Sequence, residues 1–196
     1  YETEGQEEFV AWTKEAPELS NPALLAQCQK KKNPCMEQAL LWSIHVNLAV
    51  KEPGMEQGVF YGVREALEKM SPKADLAVVS SANAQAVEEE WSKYELKPYC
   101  KALLSQEAGN KAECIQKLSA LGYPPEQILM VGDAMGDYEA AKKNGVWFYP
   151  IVVNNEKESW QQLQEEAYPK LLHGTFDRGY QKELLDKFER GFQKTL

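Results

Sequence analysis

A parallel β-sheet wound with α-helices on both faces, preceded by a helical segment, is the architecture this sequence predicts. From about residue 58 onward, short apolar runs alternate with stretches of helical periodicity, the pattern of successive βαβ units. The run Ile128-Leu129-Met130-Val131 stops at Gly132-Asp133 and reads as a strand buried on both faces, the kind found inside parallel sheets. Residues 1–57, in contrast, carry helical repeats broken by proline and no convincing strand. The Pro/Gly turn Glu52-Pro53-Gly54 marks the boundary, giving a helical segment over 1–57 and an α/β unit over 58–196. Three helices in about 50 residues make a marginal independent domain, so the first segment reads as a lid or cap on the larger second.

The elements follow in order. Phe9, Trp12 and Ala16 share one helical face, and Pro17 ends that helix. Ser20-Asn21-Pro22 offers an N-cap with proline in the first turn, opening a helix through Leu24, Leu25 and Cys28 that Asn33-Pro34 breaks. Met36, Ala39, Leu40, Ser43, Ile44 and Asn47 then repeat helically to about Val50. In the second part, Val63, Ala66, Leu67 and Met70 form the inward face of a helix that Ser71-Pro72 ends. Leu76-Ala77-Val78-Val79 is a short buried strand running into Ser80-Ser81. A helix over 83–94 places Val87, Trp91 and Tyr94 on one side, and Ala102-Leu103-Leu104 is a weaker strand. Lys111 opens a helix with Cys114, Ile115 and Leu118, and Gly122-Tyr123-Pro124-Pro125 turns the chain into the Asp133 strand. The helix over 137–144 ends at Asn144-Gly145, an apt C-cap, before the strand Val146-Trp147-Phe148-Tyr149. Two helices of mixed charge, near 157–167 and 178–194, complete the chain.

Composition narrows the function. With 43% hydrophobic and 27% charged residues over 196, this is an ordinary globular composition. A net charge of -8 disfavours nucleic acid, whose phosphates are held by clustered Lys and Arg. Lys30-Lys31-Lys32, the one basic run, reads as a solvated helix end. No apolar run approaches the ~20 residues needed to cross a bilayer, so no membrane partner is expected. Cys28, Cys35, Cys100 and Cys114 lack close paired spacing and accompany only two histidines, which suggests neither zinc site nor disulfide framework and makes a cytoplasmic setting the expectation.

In an open α/β sheet, right-handed crossovers bring every strand's carboxyl end to one edge, where ligands bind. Ser80, the loop before Lys111, and Asp133 therefore converge there. Ser80 suits donation to a phosphoryl oxygen beside the N–H groups of the next helix, though it also suits a plain helix cap. Lys111 suits neutralisation of developing negative charge; at the positive end of a helix dipole it is otherwise awkwardly placed. Asp133 suits a hard cation such as Mg2+ with water and phosphate completing the shell, and Asp137 faces the same crevice. The competing reading makes Asp133 a solvated helix cap. Met135 and Trp147-Phe148-Tyr149 offer pocket material, but core strand is the better reading of the aromatics. His173 reads as a surface loop residue, while Trp12 and Trp42 fit cap packing as well as a substrate entrance.

Val78-Val79-Ser80, then Lys111, then Val131-Gly132-Asp133 with Asp137 four residues on, resembles the second, third and fourth motifs of the haloacid dehalogenase-like hydrolase superfamily. The N-terminal helices resemble the cap that such enzymes insert between their first and second motifs. The resemblance implies a Rossmann-like core and a Mg2+-dependent phosphatase acting on a small phosphorylated metabolite. It implies that Ser80, with Ser81 and Asn83 beside it, and Lys111 bind the phosphoryl group, that Lys111 steadies the nucleophile, and that Asp133 and Asp137 serve the metal. The family's first motif, an Asp-x-Asp that supplies the nucleophile for an aspartyl-phosphate, is absent: the first aspartate in the chain is Asp75. Two readings compete. Either the first strand lies upstream of Tyr1, or His45-Val46-Asn47 stands in its place and the protein is a degenerate relative that binds ligand or partner without turnover. A helical periodicity around Leu40, Leu41, Ile44 and Leu48 favours the first, in which the chain alone is inactive. A receiver-like signalling domain is the weakest reading, because it needs an early acidic cluster.

Overall fold

The computed structural model describes residues 3–16, 21–50 and 58–193. Three expected features, the stop at Pro17, the cap at Ser20 and the turn Glu52-Pro53-Gly54, lie outside the described residues. The chain falls into two compact units, Tyr1–Gly58 and Val59–Leu196. Among the described residues no helix is long and apolar enough to cross a membrane.

The first unit is helical: α1 (Gln6–Glu15), α2 (Asn21–Lys30) and α3 (Pro34–Val50). Leu24, Met36 and Leu40 are buried together, with Phe9, Trp12, Cys28 and Ala39 packed against them, and the Phe9 and Trp12 rings stack. Asn33 locks this small core. Its Oδ1 accepts the Met36 N–H at 3.0 Å to cap α3, while its Nδ2 donates to the Gly5 carbonyl at 3.1 Å and to Glu8 Oε2 at 3.0 Å. Lys30-Lys31-Lys32 is exposed, as expected of a solvated helix end, and Lys31 pairs there with Glu8 at 2.7 Å. His45-Val46-Asn47 sits inside α3, so it does not stand at the end of any strand.

The second unit alternates helix and strand as expected: α4 (Val63–Met70), β1 (Leu76–Val79), α5 (Ala84–Lys93), β2 (Cys100–Leu104), α6 (Lys111–Ser119), β3 (Leu129–Gly132), α7 (Met135–Lys143) and β4 (Trp147–Pro150). A long helical stretch follows, made of α8 (Glu156–Gln162), a π-helical turn (Leu163–Ala167) and α9 (Tyr168–Leu172), and then α10 (Arg178–Gln193). Instead of one sheet there are two half-sheets, each a parallel pair: β1 with β2, and β3 with β4.

The β3–β4 half shows why both faces carry helices. Side chains alternate along a strand. Leu129, Val131, Trp147, Tyr149 and Ile151 accordingly pack with Ala66, Met70, Leu163 and Tyr168 on one face. Ile128, Met130, Val146 and Phe148 pack with Ile115, Ala140, Ala141 and Phe188 on the other. The Gly145 turn that joins α7 to β4 adopts φ +66°, and the Val146 N–H reaches back to the Ala141 carbonyl at 3.1 Å, the bond that closes a helix end of this type.

One expectation needs correction. Leu76–Val79 reads as a buried strand and Ile128–Val131 as one buried on both faces, yet no residue of β1 or β3 is fully buried and Ala77 is exposed. In β4, three of four residues are buried. The difference arises because, among the described residues, β1 and β3 each have a strand neighbour on one edge only and face a groove on the other.

Candidate active site

The carboxyl ends of the strands are tied to one another by their loops. The Ser80 N–H donates to the Leu104 carbonyl at 2.8 Å, and the Gln106 N–H to the Ala82 carbonyl at 2.9 Å, so the loops after β1 and β2 lie side by side. Glu107 fastens them. Its carboxylate accepts the Ala84 N–H at 3.1 and 3.2 Å and the Ser105 hydroxyl at 2.6 Å, bonds that hold its pKa below the usual carboxylate range, the Ser105 bond contributing most.

From there the chain enters α6 through a reciprocal cap. The Glu113 N–H donates to Asn110 Oδ1 and the Asn110 N–H to Glu113 Oε2, each at 3.0 Å. That cap fixes Lys111 at the first position of the helix. Its ammonium reaches across to donate to Asp137 Oδ1 in the first turn of α7. Asp137 is 2% exposed and Lys111 28%, so the ammonium, awkward beside its own helix dipole, is answered by a buried carboxylate. Asp137 Oδ2 accepts the Ala134 N–H at 3.2 Å and thereby holds the turn that follows β3. Through these bonds the loops after β1, β2 and β3 form one rim, which means that β1 and β3 run in the same direction.

Glycine at 132 is a packing requirement. A Cβ there would collide with the Asp137 carboxylate and lie 2.6 Å from Asp137 Cβ, so the approach of Asp137 to the strand end depends on its absence.

The structure gives each predicted residue a specific place. Ser80 Oγ accepts the Ala82 N–H at 3.1 Å, and its own proton has no acceptor among the described residues. Helix α5 is capped by Asn83, whose Oδ1 accepts the Ala86 N–H at 2.9 Å; Ser80 does not perform the capping role that was its simplest reading. Asn83 therefore has its side-chain oxygen engaged, while Ser81 is exposed beside it. Asp133 is exposed and, among the described residues, makes no hydrogen bond or ion pair, whereas both oxygens of Asp137 are taken. Met135 and His173 are exposed, and Trp147 packs against Phe176.

No group of three or more His, Cys, Asp or Glu side chains gathers as a metal centre among the described residues. A single free carboxylate still fits Mg2+, which keeps several waters and is commonly held by one or two protein carboxylates plus substrate oxygens. Gly132 and Asp133 also line the groove of about 430 Å³ between β1 and β3. A larger cavity of about 730 Å³, lined by Asp75, Lys101, Glu126 and Trp147, opens at the amino ends of the strands and holds none of Ser80, Ser81, Asn83, Lys111, Asp133 and Asp137.

Glu107, Asn110 and Glu113 did not stand out among the candidates. Asn110 and Glu113 were legible in principle as a cap three residues apart; Glu107 was not, because its partners lie on another loop.

Comparison with protein families agrees with this arrangement. The family model described as haloacid dehalogenase-like hydrolase matches residues 18–151. The chain belongs to that family, and its α/β unit has the Rossmann-like organisation of helices around parallel strands. No curated protein and no solved structure matches the chain.

Proposed function

We propose that this chain belongs to a Mg2+-dependent phosphatase of cytoplasmic setting, acting on a small phosphorylated metabolite. The observation that carries the reading is the Lys111–Asp137 ion pair, which joins the loop after β2 to the turn after β3 and supports a common rim for Lys111 and Asp133. In this reading the free Ser80 proton is donated to a phosphoryl oxygen. Lys111, anchored by Asp137, offsets charge developing on the transferred group. Asp133 holds the metal, with Asp137 supporting the turn behind it. Bound there, the ion would supply Lewis-acid polarisation of the phosphoryl oxygen. The helical segment 1–57 corresponds, by the family resemblance, to the cap of such enzymes.

Nucleophilic attack requires a carboxylate that this sequence does not provide in an Asp-x-Asp pattern, so the nucleophile comes from outside this chain. We expect no turnover of a generic aryl phosphate with Mg2+ by the chain alone. Extending it at its amino end with the segment that bears such a motif should bring activity, and Asp133→Asn in the extended protein should abolish it. A folded, extended protein that stays silent would defeat the enzyme reading. If that protein still binds inorganic phosphate at this rim, the second reading, a phosphate-binding domain without turnover, takes its place.

A further inference from the structure

We infer that the cavity of about 730 Å³ at the amino ends of the strands binds a small aromatic zwitterion, a molecule of the aromatic amino-acid kind with a ring, one carboxylate and one ammonium. The cavity belongs wholly to the second unit and lies on the opposite rim from Ser80, Lys111 and Asp133, so the inference is independent of the hydrolase reading.

One wall is apolar and already set in place. Trp147, Leu171, Leu172 and Phe176 form it. The Trp147 indole N–H donates to the Glu126 carbonyl at 3.1 Å, and its ring packs on Phe176 with centroids 5.2 Å apart. Phe176 in turn stands T-shaped to Tyr180 at 5.1 Å. A ring held in this way loses little freedom when another ring packs on it, and aromatic pairs gain beyond the area they bury.

The other wall supplies charge of both signs. Among the described residues, the ammonium groups of Lys73, in the turn after α4, and Lys101, on β2, make no hydrogen bond or ion pair. Asp75 lines the same space, but its carboxylate already accepts the Tyr123 hydroxyl. The Glu126 carboxylate has no partner among the described residues. Two free ammonium groups and one free carboxylate thus border a single cavity. A plain anion placed there would meet Glu126 as a like charge, and a plain cation would meet both lysines in the same way. A zwitterion answers both signs. It also leaves unchanged the balance of Lys73 and Lys101 against Asp75 and Glu126. The volume of about 730 Å³ falls within the ~300–1,000 Å³ of small-molecule sites, which likewise combine an apolar wall with a few polar groups.

The test uses the whole chain and three probes followed by fluorine NMR: para-fluoro-L-phenylalanine, para-fluorophenylpropionate, which lacks the ammonium, and para-fluorophenethylamine, which lacks the carboxylate. The amino acid should bind in the millimolar range or tighter, and each singly charged probe at least about threefold more weakly, the scale of one exposed ion pair. Lys73→Gln combined with Lys101→Gln should weaken the amino acid and the propionate without weakening the amine. Glu126→Gln should weaken the amino acid and the amine without weakening the propionate. Asp133→Asn, on the opposite rim, should change none of the three. All four positions are exposed, so these substitutions leave the core intact. Equal affinity of the three probes, the same loss of all three in either lining variant, a response to Asp133→Asn, or absence of binding at millimolar amino acid would each overturn the inference. None of the probes carries a phosphate, so their failure leaves the phosphatase proposal standing, and a silent extended enzyme leaves the cavity proposal standing.

Discussion

The Asp137 carboxylate holds two groups at once: Lys111 on one oxygen and the Ala134 N–H on the other, both at a nearly inaccessible position. A buried charge that loses its partner is costly, so Lys111→Met should destabilise the protein by about 3 kcal/mol. Asp137→Asn, which lets the partly exposed ammonium turn to solvent, should cost less. Urea unfolding of both single variants and the double variant should show a coupling of about 1–2 kcal/mol; additivity would mean that the pair does not act as a unit. The individual residues of this rim were legible in the sequence, because Gly132-Asp133 ends an apolar run and Lys111 opens a helix. Their relation was not. Nothing local to Lys111 signals a carboxylate 26 residues away, and the close packing that forces glycine at 132 exists only once α7 folds back on β3.

At the scale of elements, α6 depends on its cap. Asn110→Ala removes the Oδ1 that receives the Glu113 N–H and should cost about 1 kcal/mol by thermal or urea unfolding, with Lys111 losing its fixed position. A stability equal to the parent's would show that the turn is held by Glu107 and its neighbours instead. Element type and order were readable from periodicity and turn residues. Ends were less so. The helix expected to stop near 167 continues to Leu172, past Pro169, because a π-helical turn from Leu163 to Ala167 precedes the proline and adjusts the ladder where its ring and missing N–H would otherwise interrupt it. Cap choice at α5 also escaped local reading: Ser80 and Asn83 both suit the role, and only the backbone geometry at Asn83 decides it.

For the molecule as a whole, the two half-sheets are unequally supported. β3–β4 is covered by apolar clusters on both faces, whereas β1 contributes Leu76 to a smaller cluster around Val63, Leu67 and Leu96. Ladder amides of β1–β2 should therefore exchange faster than those of β3–β4, by about tenfold or more in native-state exchange; equal rates would mean that one cooperative unit spans the groove. This asymmetry was invisible in the sequence, since an apolar run states what a strand can bury but not whether a neighbour arrives to bury it. It also carries a hazard. Strand edges that have no partner among the described residues pair readily with other extended chains, so the β1 and β3 edges favour coaggregation. The counterweight is mutual repulsion from a net charge of -8, which rising ionic strength progressively removes.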